Sequence, residues 1–193
     1  RFTGSASSKY KNGVKESEIH FKDGVEHGKS IMRYESGQKK SETEYVDGVL
    51  QGKFTGWYEN GTVNYEGTFL DGREVGPYVN FYPNGTKSWE ANYEKDGTKS
   101  LQVNWYENGG KCSEETFLDG KIISAVSWLP NGEKCPVTEV LEGTGTWVYY
   151  SESGRKQQEG HYVEGFKDGN WTYLNPESRK YFTFTWKKGV LAR

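Results

Sequence analysis

Gly13, Gly37, Gly61, Gly85 and Gly109 stand 24 residues apart, and this period constrains the chain more than any other feature. Gly132 and Gly154 continue the series at slightly shorter spacings, and Ser178 closes it with the glycine replaced. A second glycine follows eleven residues behind most of these, as Asp-Gly at Gly24, Gly48, Gly72 and Gly120 and as Glu-Gly at Gly165. A third comes four residues later at Gly28, Gly52, Gly76 and Gly169. A fixed period of this length marks an array in which each unit buries its apolar surface against its neighbours. Residues 9–193 read as that array, irregular around 133–145, and residues 1–8 as an N-terminal tail or degenerate half-repeat.

The turns say what each unit is. Asn-Gly and Asp-Gly lie between short aromatic and β-branched runs, and no segment sustains a 3.6-residue apolar period. The fold class is therefore all-β: an extended single-sheet antiparallel meander of about eight 24-residue β-hairpins. Pro83 and Pro130 suit the first corner of a type I turn, with Asn next and a left-handed Gly third, so a three-residue turn is expected at the Asn-Gly sites. Extending that register along the strands collects Trp57, Phe81, Trp105, Trp128 and Tyr150 on one face. With them come Ile31, Val79, Val103, Val126 and Val148, and then Phe21, Tyr45, Phe69, Tyr93 and Phe117. Thr43, Gly67, Ala91 and Gly160 leave room between these rings. The other face collects Glu18, Glu42, Glu66, Glu90, Glu114 and Glu159 with Tyr34, Tyr58, Tyr82 and Tyr106. Because the period is even, the faces stay coherent from unit to unit.

Composition narrows the function. Lys and Arg number 25 against 27 Asp and Glu, with no basic cluster, which argues against nucleic acid as a partner. No run approaches the length of a spanning helix, and membrane contact is left to rings such as Trp147 and Trp171. The compartment is unassigned. His20, His27 and His161 do not converge with each other or with a nucleophile, so the reading is a non-enzyme with no catalytic residue, no metal and no cofactor. Cys112 and Cys135 occupy equivalent positions in adjacent units, about 10 Å apart across an intervening strand, which predicts two free thiols. The Asn-x-Thr sequons at Asn60, Asn84 and Asn170 are explained by turn or repeat chemistry.

Two polar columns remain. Lys15, Lys39, Lys87, Lys111, Lys134 and Lys156 are expected beside the Trp and Phe column, covering the rings. The glutamates stand two strands apart, on the order of 10 Å, too wide for one metal ion or a paired acid and base. Their simplest role is a solvated face; their functional role is an acidic, tyrosine-lined strip that docks a basic partner. The candidate partner-binding residues are Tyr34, Tyr58, Tyr82, Tyr106, Glu42, Glu66, Glu90 and Glu114.

Gly52-Lys53-Phe54-Thr55-Gly56-Trp57-Tyr58-Glu59-Asn60-Gly61 and Phe69-Leu70-Asp71-Gly72 are the clearest copies of the unit. The unit resembles the MORN-repeat variant of bacterial YwqK-family antitoxins. That resemblance implies a β-hairpin array without catalytic residues, and a protein-interaction module of the antitoxin, immunity or scaffolding kind whose partner is another protein, a toxin among the candidates. Surface carbohydrate or choline-type ligand binding, and lipid binding, are the alternatives.

Overall fold

The structure is a computed structural model that describes residues 1–192. Nineteen strands form one antiparallel sheet in meander order, and no helix occurs among the described residues. The chain divides into two compact units, residues 1–87 with 92–97, and residues 88–91 with 98 onward. Unit 1 carries β1 (Gly4–Lys9), β2 (Lys15–Lys22), β3 (Val25–Arg33), β4 (Lys39–Val46), β5 (Val49–Leu50), β6 (Gly52–Trp57), β7 (Val63–Leu70), β8 (Arg73–Glu74) and β9 (Gly76–Phe81). The division passes through β10 (Lys87–Tyr93). Unit 2 carries β11 (Lys99–Trp105), β12 (Lys111–Leu118), β13 (Lys121–Ser127), β14 (Glu139–Leu141), β15 (Thr144–Tyr150), β16 (Lys156–Val163), β17 (Phe166–Leu174), β18 (Tyr181–Lys187) and β19 (Val190–Leu191).

Two turn chemistries alternate. At the Asn-Gly sites the loop has three residues: Tyr58 N donates to Thr62 O at 2.9 Å, Gly61 N donates to Tyr58 O at 2.9 Å, and Gly61 has φ 86°. Asn60 Oδ1 accepts from Thr62 N at 3.0 Å and Thr62 Oγ1 at 2.6 Å, so this sequon is an Asx turn. At the Asp-Gly sites the loop has two residues, both left-handed, as in Asp71 (φ 51°) and Gly72 (φ 76°) between the paired Leu70 and Arg73. This is the type I′ geometry that follows the strand twist, and Asp is one of the few non-glycine residues that enter it cheaply.

The register departs from the sequence expectation one step beyond each Asn-Gly turn. Trp57 pairs with Val63, but Gly56 pairs with Tyr65, so Asn64 is an extra residue and a β-bulge. The same shift separates Ser8 from Lys9, Met32 from Arg33, Asn104 from Trp105 and Tyr149 from Tyr150. One extra residue moves every later side chain to the other face. Thr55 therefore opposes Glu66, whereas Phe54 opposes Gly67 and Gly52 opposes Phe69. Trp57 and Phe69 lie on opposite faces, correcting the grouping of the Trp, Val and Phe/Tyr columns on a single apolar side. The glutamates share the face of Trp57, not that of Phe69.

In unit 1 the Trp57 face carries a cross-strand row of Ser7, Glu18, Ile31, Glu42, Thr55, Glu66 and Val79. On the reverse, the Phe54 ring stacks on Tyr65 with centroids 4.8 Å apart and meets Phe69 edge-on at 5.8 Å. Small residues make room for these rings, since a Cβ on Gly56 would sit 2.2 Å from the Tyr65 ring and one on Gly67 2.7 Å from the Tyr78 ring.

Unit 2 contains the irregular segment. Between β13 and the three-residue β14, residues 135–138 are not in a strand. The buried Thr138 hydroxyl takes the place of a strand partner there: it donates to Val148 O and accepts from Val148 N, both at 3.0 Å. The buried Ser127 hydroxyl also donates to Val148 O, at 2.9 Å. With β14 so short, β15 reaches past it to approach β12 and β13. The core of the unit forms at this fold in the sheet, from Ile122, Ala125, Val140, Trp147 and Trp171. Trp171 is 0 % and Trp147 5 % exposed, so neither ring is free for lipid, which corrects that expectation. Trp171 Nε1 donates to His161 O at 3.1 Å, and a Cβ on Gly160 would fall 2.0 Å from its ring. Cys112 and Cys135 are free thiols, both buried.

Candidate functional site

The most regular polar surface is the Trp57 face of unit 1. The bulge brings together residues three apart, which a flat strand would point in opposite directions. Lys15 Nζ meets Glu18 at 3.0 Å and Lys39 Nζ meets Glu42 at 2.6 Å. Lys29 reaches the same Glu42 carboxylate at 2.6 Å, and Lys53 reaches Glu66 at 3.1 Å. Hydrogen bonds from Lys29 and then Lys39 hold the Glu42 carboxyl below the usual carboxylate range. Lys39 Nζ also lies 5.6 Å from the Trp57 ring centroid. A shallow recess of about 240 Å³ opens here, lined by Lys29, Glu42, Glu44, Lys53, Thr55 and Trp57 among others. Unit 2 repeats the pattern by itself, with Lys111–Glu114 at 2.6 Å, Lys156–Glu159 at 2.7 Å and Lys111 Nζ 5.7 Å from the Trp128 ring.

The strip is thus charge-balanced rather than acidic. The missed signal was a Lys-x-x-Glu spacing that follows most of the turn glycines, at Lys15/Glu18, Lys39/Glu42, Lys87/Glu90, Lys111/Glu114 and Lys156/Glu159. Lys39 and Lys111 do lie by the Trp57 and Trp128 rings, and they also pair with Glu42 and Glu114.

The tyrosines serve another purpose. Tyr34 OH donates to Trp57 O, and Tyr58 OH to Phe81 O, each at 2.7 Å. Tyr106 OH donates to Trp128 O at 2.8 Å and is 3 % exposed. Tyr10 makes the same bond to Arg33 O at 2.7 Å. Each ties one hairpin to the next across the turns, so these tyrosines position the aromatic column instead of presenting hydroxyls beside the glutamates.

Chemistry of other kinds has little to work with. Among the described residues no group of three or more His, Cys, Asp and Glu side chains could hold a metal ion. No helix among them is long and apolar enough to cross a membrane. His20 Nδ1 lies 2.7 Å from Lys29 O within its own hairpin, and His27 Nδ1 lies 3.2 Å from Asp47 Oδ1 in the next Asp-Gly turn, so both rings are used in structural contacts.

Comparison with known proteins accords with the geometry. Residues 2–23, 26–47, 50–71 and 144–164 match the family described as MORN repeat variant. The first three matches are consecutive and lie in unit 1; the fourth covers β15 and β16 of unit 2. MORN repeats are in general protein- and membrane-interaction repeats. No curated protein matches the sequence. Among solved structures, the chain is similar to a mutant of S. aureus TarM at 11% identity and TM-score 0.31, over 62% of this chain and 21% of that one. The chain therefore spans about a fifth of the length of that protein.

Proposed function

We propose that the chain is a non-enzymatic protein-interaction module, of the antitoxin, immunity or scaffolding kind, that engages its partner through the Trp57 face of unit 1. The observation that supports this reading is the repetition of one ensemble there: a half-buried ring, an aliphatic residue and a Lys–Glu pair, at Lys39, Glu42, Trp57 and Ile31 and again along the row to Glu66. Aromatic rings framed by paired charges give contact area at the centre and selectivity at the rim. The partner reads a charge pattern rather than a net charge, so its own surface carries both signs.

Glu42 and Glu66 are the contacts of this reading in unit 1, where Tyr34 and Tyr58 tie the hairpins behind them; Glu114 and Tyr106 hold the equivalent places within unit 2. Exchanging charges at Lys39, Glu42 and Lys29 together (Lys39→Glu, Glu42→Lys and Lys29→Glu) keeps opposite charges at both contacts of position 42 while inverting what a partner meets. Affinity capture from native lysate with this triple variant is expected to lose the proteins that the natural chain retains. Retention of the same proteins would remove the Trp57 face from the account.

A further inference from the structure

A second site lies in unit 2, on the face opposite its Lys–Glu pairs, and it begins with a residue that breaks the repeat. Six residues after the turn glycine an uncharged residue stands in one cross-strand row, in unit 1 Ile19 and Thr43 on either side of Ser30 and Gly67 opposite the Phe54 ring. In unit 2 the Gly160 position obeys the same rule beside Trp147. At Glu115 the rule inverts: a carboxylate stands in that position, between Gln102 on one strand and Ala125 on the other. Gln102 stands where the two preceding repeats carry the rings Phe54 and Tyr78, and the first of the series the polar Ser30.

The polar groups gather where β15 folds over. Lys99, Gln102 and Asn104 from β11, Glu115 and Phe117 from β12, Trp147 and Tyr149 from β15, and Gln158, Tyr162 and Lys167 from the next two strands line one recess of about 400 Å³. Such a volume is that of a small-molecule site. Glu115 is held weakly, by Ser113 Oγ at 3.2 Å and Gln102 Nε2 at 3.4 Å. Burial pushes its carboxyl above the usual carboxylate range, against the pull of Ser113, Lys99 and Lys167. Burial likewise lowers the Lys99 ammonium. A carboxylate and an ammonium partly stripped of water cost folding free energy, and the uncharged Ile19, Thr43, Gly67 and Gly160 at the positions equivalent to Glu115 show that the fold does not need a carboxylate here.

The lining says what would bind. Lys99 Nζ is 2.6 Å from Gln102 Oε1 and 4.2 Å from the Phe117 ring centroid. Lys167 Nζ is 3.1 Å from Tyr173 OH and 4.2 Å from the Trp171 centroid. A cationic ligand would meet these two ammonium groups, and an anionic one the Glu115 carboxylate. A neutral ring bearing several hydroxyls opposes neither. Each hydroxyl both donates and accepts, which the acceptor Glu115, the donor lysines and the amides of Gln102, Asn104 and Gln158 match. Tyr149 and Tyr162, partly buried against the core and lining the recess, supply ring surface for its C–H face. We infer that the Glu115 recess of unit 2 is a binding site for a neutral pyranose residue of a glycan, separate from the protein-binding face.

The test is calorimetric titration of the full chain with maltohexaose, cellohexaose and chitohexaose, and with tetramethylammonium and glucuronate as charged probes. At least one neutral oligosaccharide is expected to bind saturably, Glu115→Gln to weaken it about tenfold by removing an acceptor from a hydroxyl, and Gln158→Ala to weaken it as well. Lys11→Gln, in an exposed turn of unit 1, is expected to leave binding unchanged. Failure of all three oligosaccharides to bind overturns the inference. So does sugar binding that ignores both unit 2 substitutions, or a Glu115-dependent response confined to tetramethylammonium or glucuronate. Because Glu115→Gln keeps shape and removes a desolvated charge, loss of binding in that variant is not loss of fold.

Discussion

Glu115 couples the second site to stability. Its folded-state pKa is raised by burial, so the folded chain holds that proton more tightly than the unfolded chain, where the value is about 4.3. The resulting contribution to stability is present below the unfolded value and declines as pH rises through the interval up to the raised one. Glu115→Gln is therefore expected to raise the urea midpoint at neutral pH and to flatten its decline across that interval. A midpoint unchanged or lowered at neutral pH would mean that the carboxylate is well solvated. Glu42 has the opposite sign: its lowered pKa gives stability above the unfolded value that is lost as pH falls through the folded one. That pair is partly solvent-screened, so removing it costs about 1 kcal/mol or less. The tyrosine ties are stronger candidates for loss. Tyr58→Phe leaves Phe81 O without its 2.7 Å donor and is expected to cost about 1 kcal/mol in denaturant unfolding.

At the scale of strands and turns, the sequence reading worked where chemistry is local and failed where one uncoded residue intervenes. The three-residue loop was legible because Pro83, Pro130 and the left-handed glycine demand it, and the Asp-Gly hairpins because Asp71 and Gly72 tolerate positive φ. The bulge at Asn64 was not, since a bulge of this kind requires no glycine, and extending the turn register through it put Phe69 beside Trp57. The Lys-x-x-Glu spacing would have revealed it, because only a bulged strand lets Lys39 and Glu42 meet at 2.6 Å. The irregular segment was visible as a shortened period, but not that Thr138 bonds both backbone groups of Val148. Thr138→Val is expected to destabilise the chain by about 2 kcal/mol or more, since it strands a buried N–H and removes one of the donors to Val148 O. Gly160→Ala, whose Cβ would meet the Trp171 ring at 2.0 Å, is expected to cost about 1–3 kcal/mol. Near-ultraviolet circular dichroism of that variant should show Trp171 displaced.

Across the whole molecule, the repeat supplies one face of charge pairs with rings and a reverse face of packed aromatics, and each unit uses this plan differently. Unit 1 keeps its small residues beneath its rings and presents the regular Lys–Glu surface. Unit 2 breaks the plan at β14, encloses the recess around Glu115 and buries Trp147 and Trp171. Periodicity picked out the glutamates and the tyrosines alike, and the structure separates their positions: the glutamates lie in lysine pairs on the Trp57 face, whereas Tyr34, Tyr58 and Tyr106 each tie one hairpin to the next. The Glu115 recess was illegible because its members come from five strands brought together by the short β14, and no spacing in the chain encodes that. The claim on which both sites rest is the assignment of faces, and proton–proton Overhauser contacts in unit 1 measure it directly. Contacts from the Phe54 ring to Tyr65 and Phe69, and from the Lys39 side chain to Trp57, are predicted; a contact between the Trp57 and Phe69 rings would contradict it.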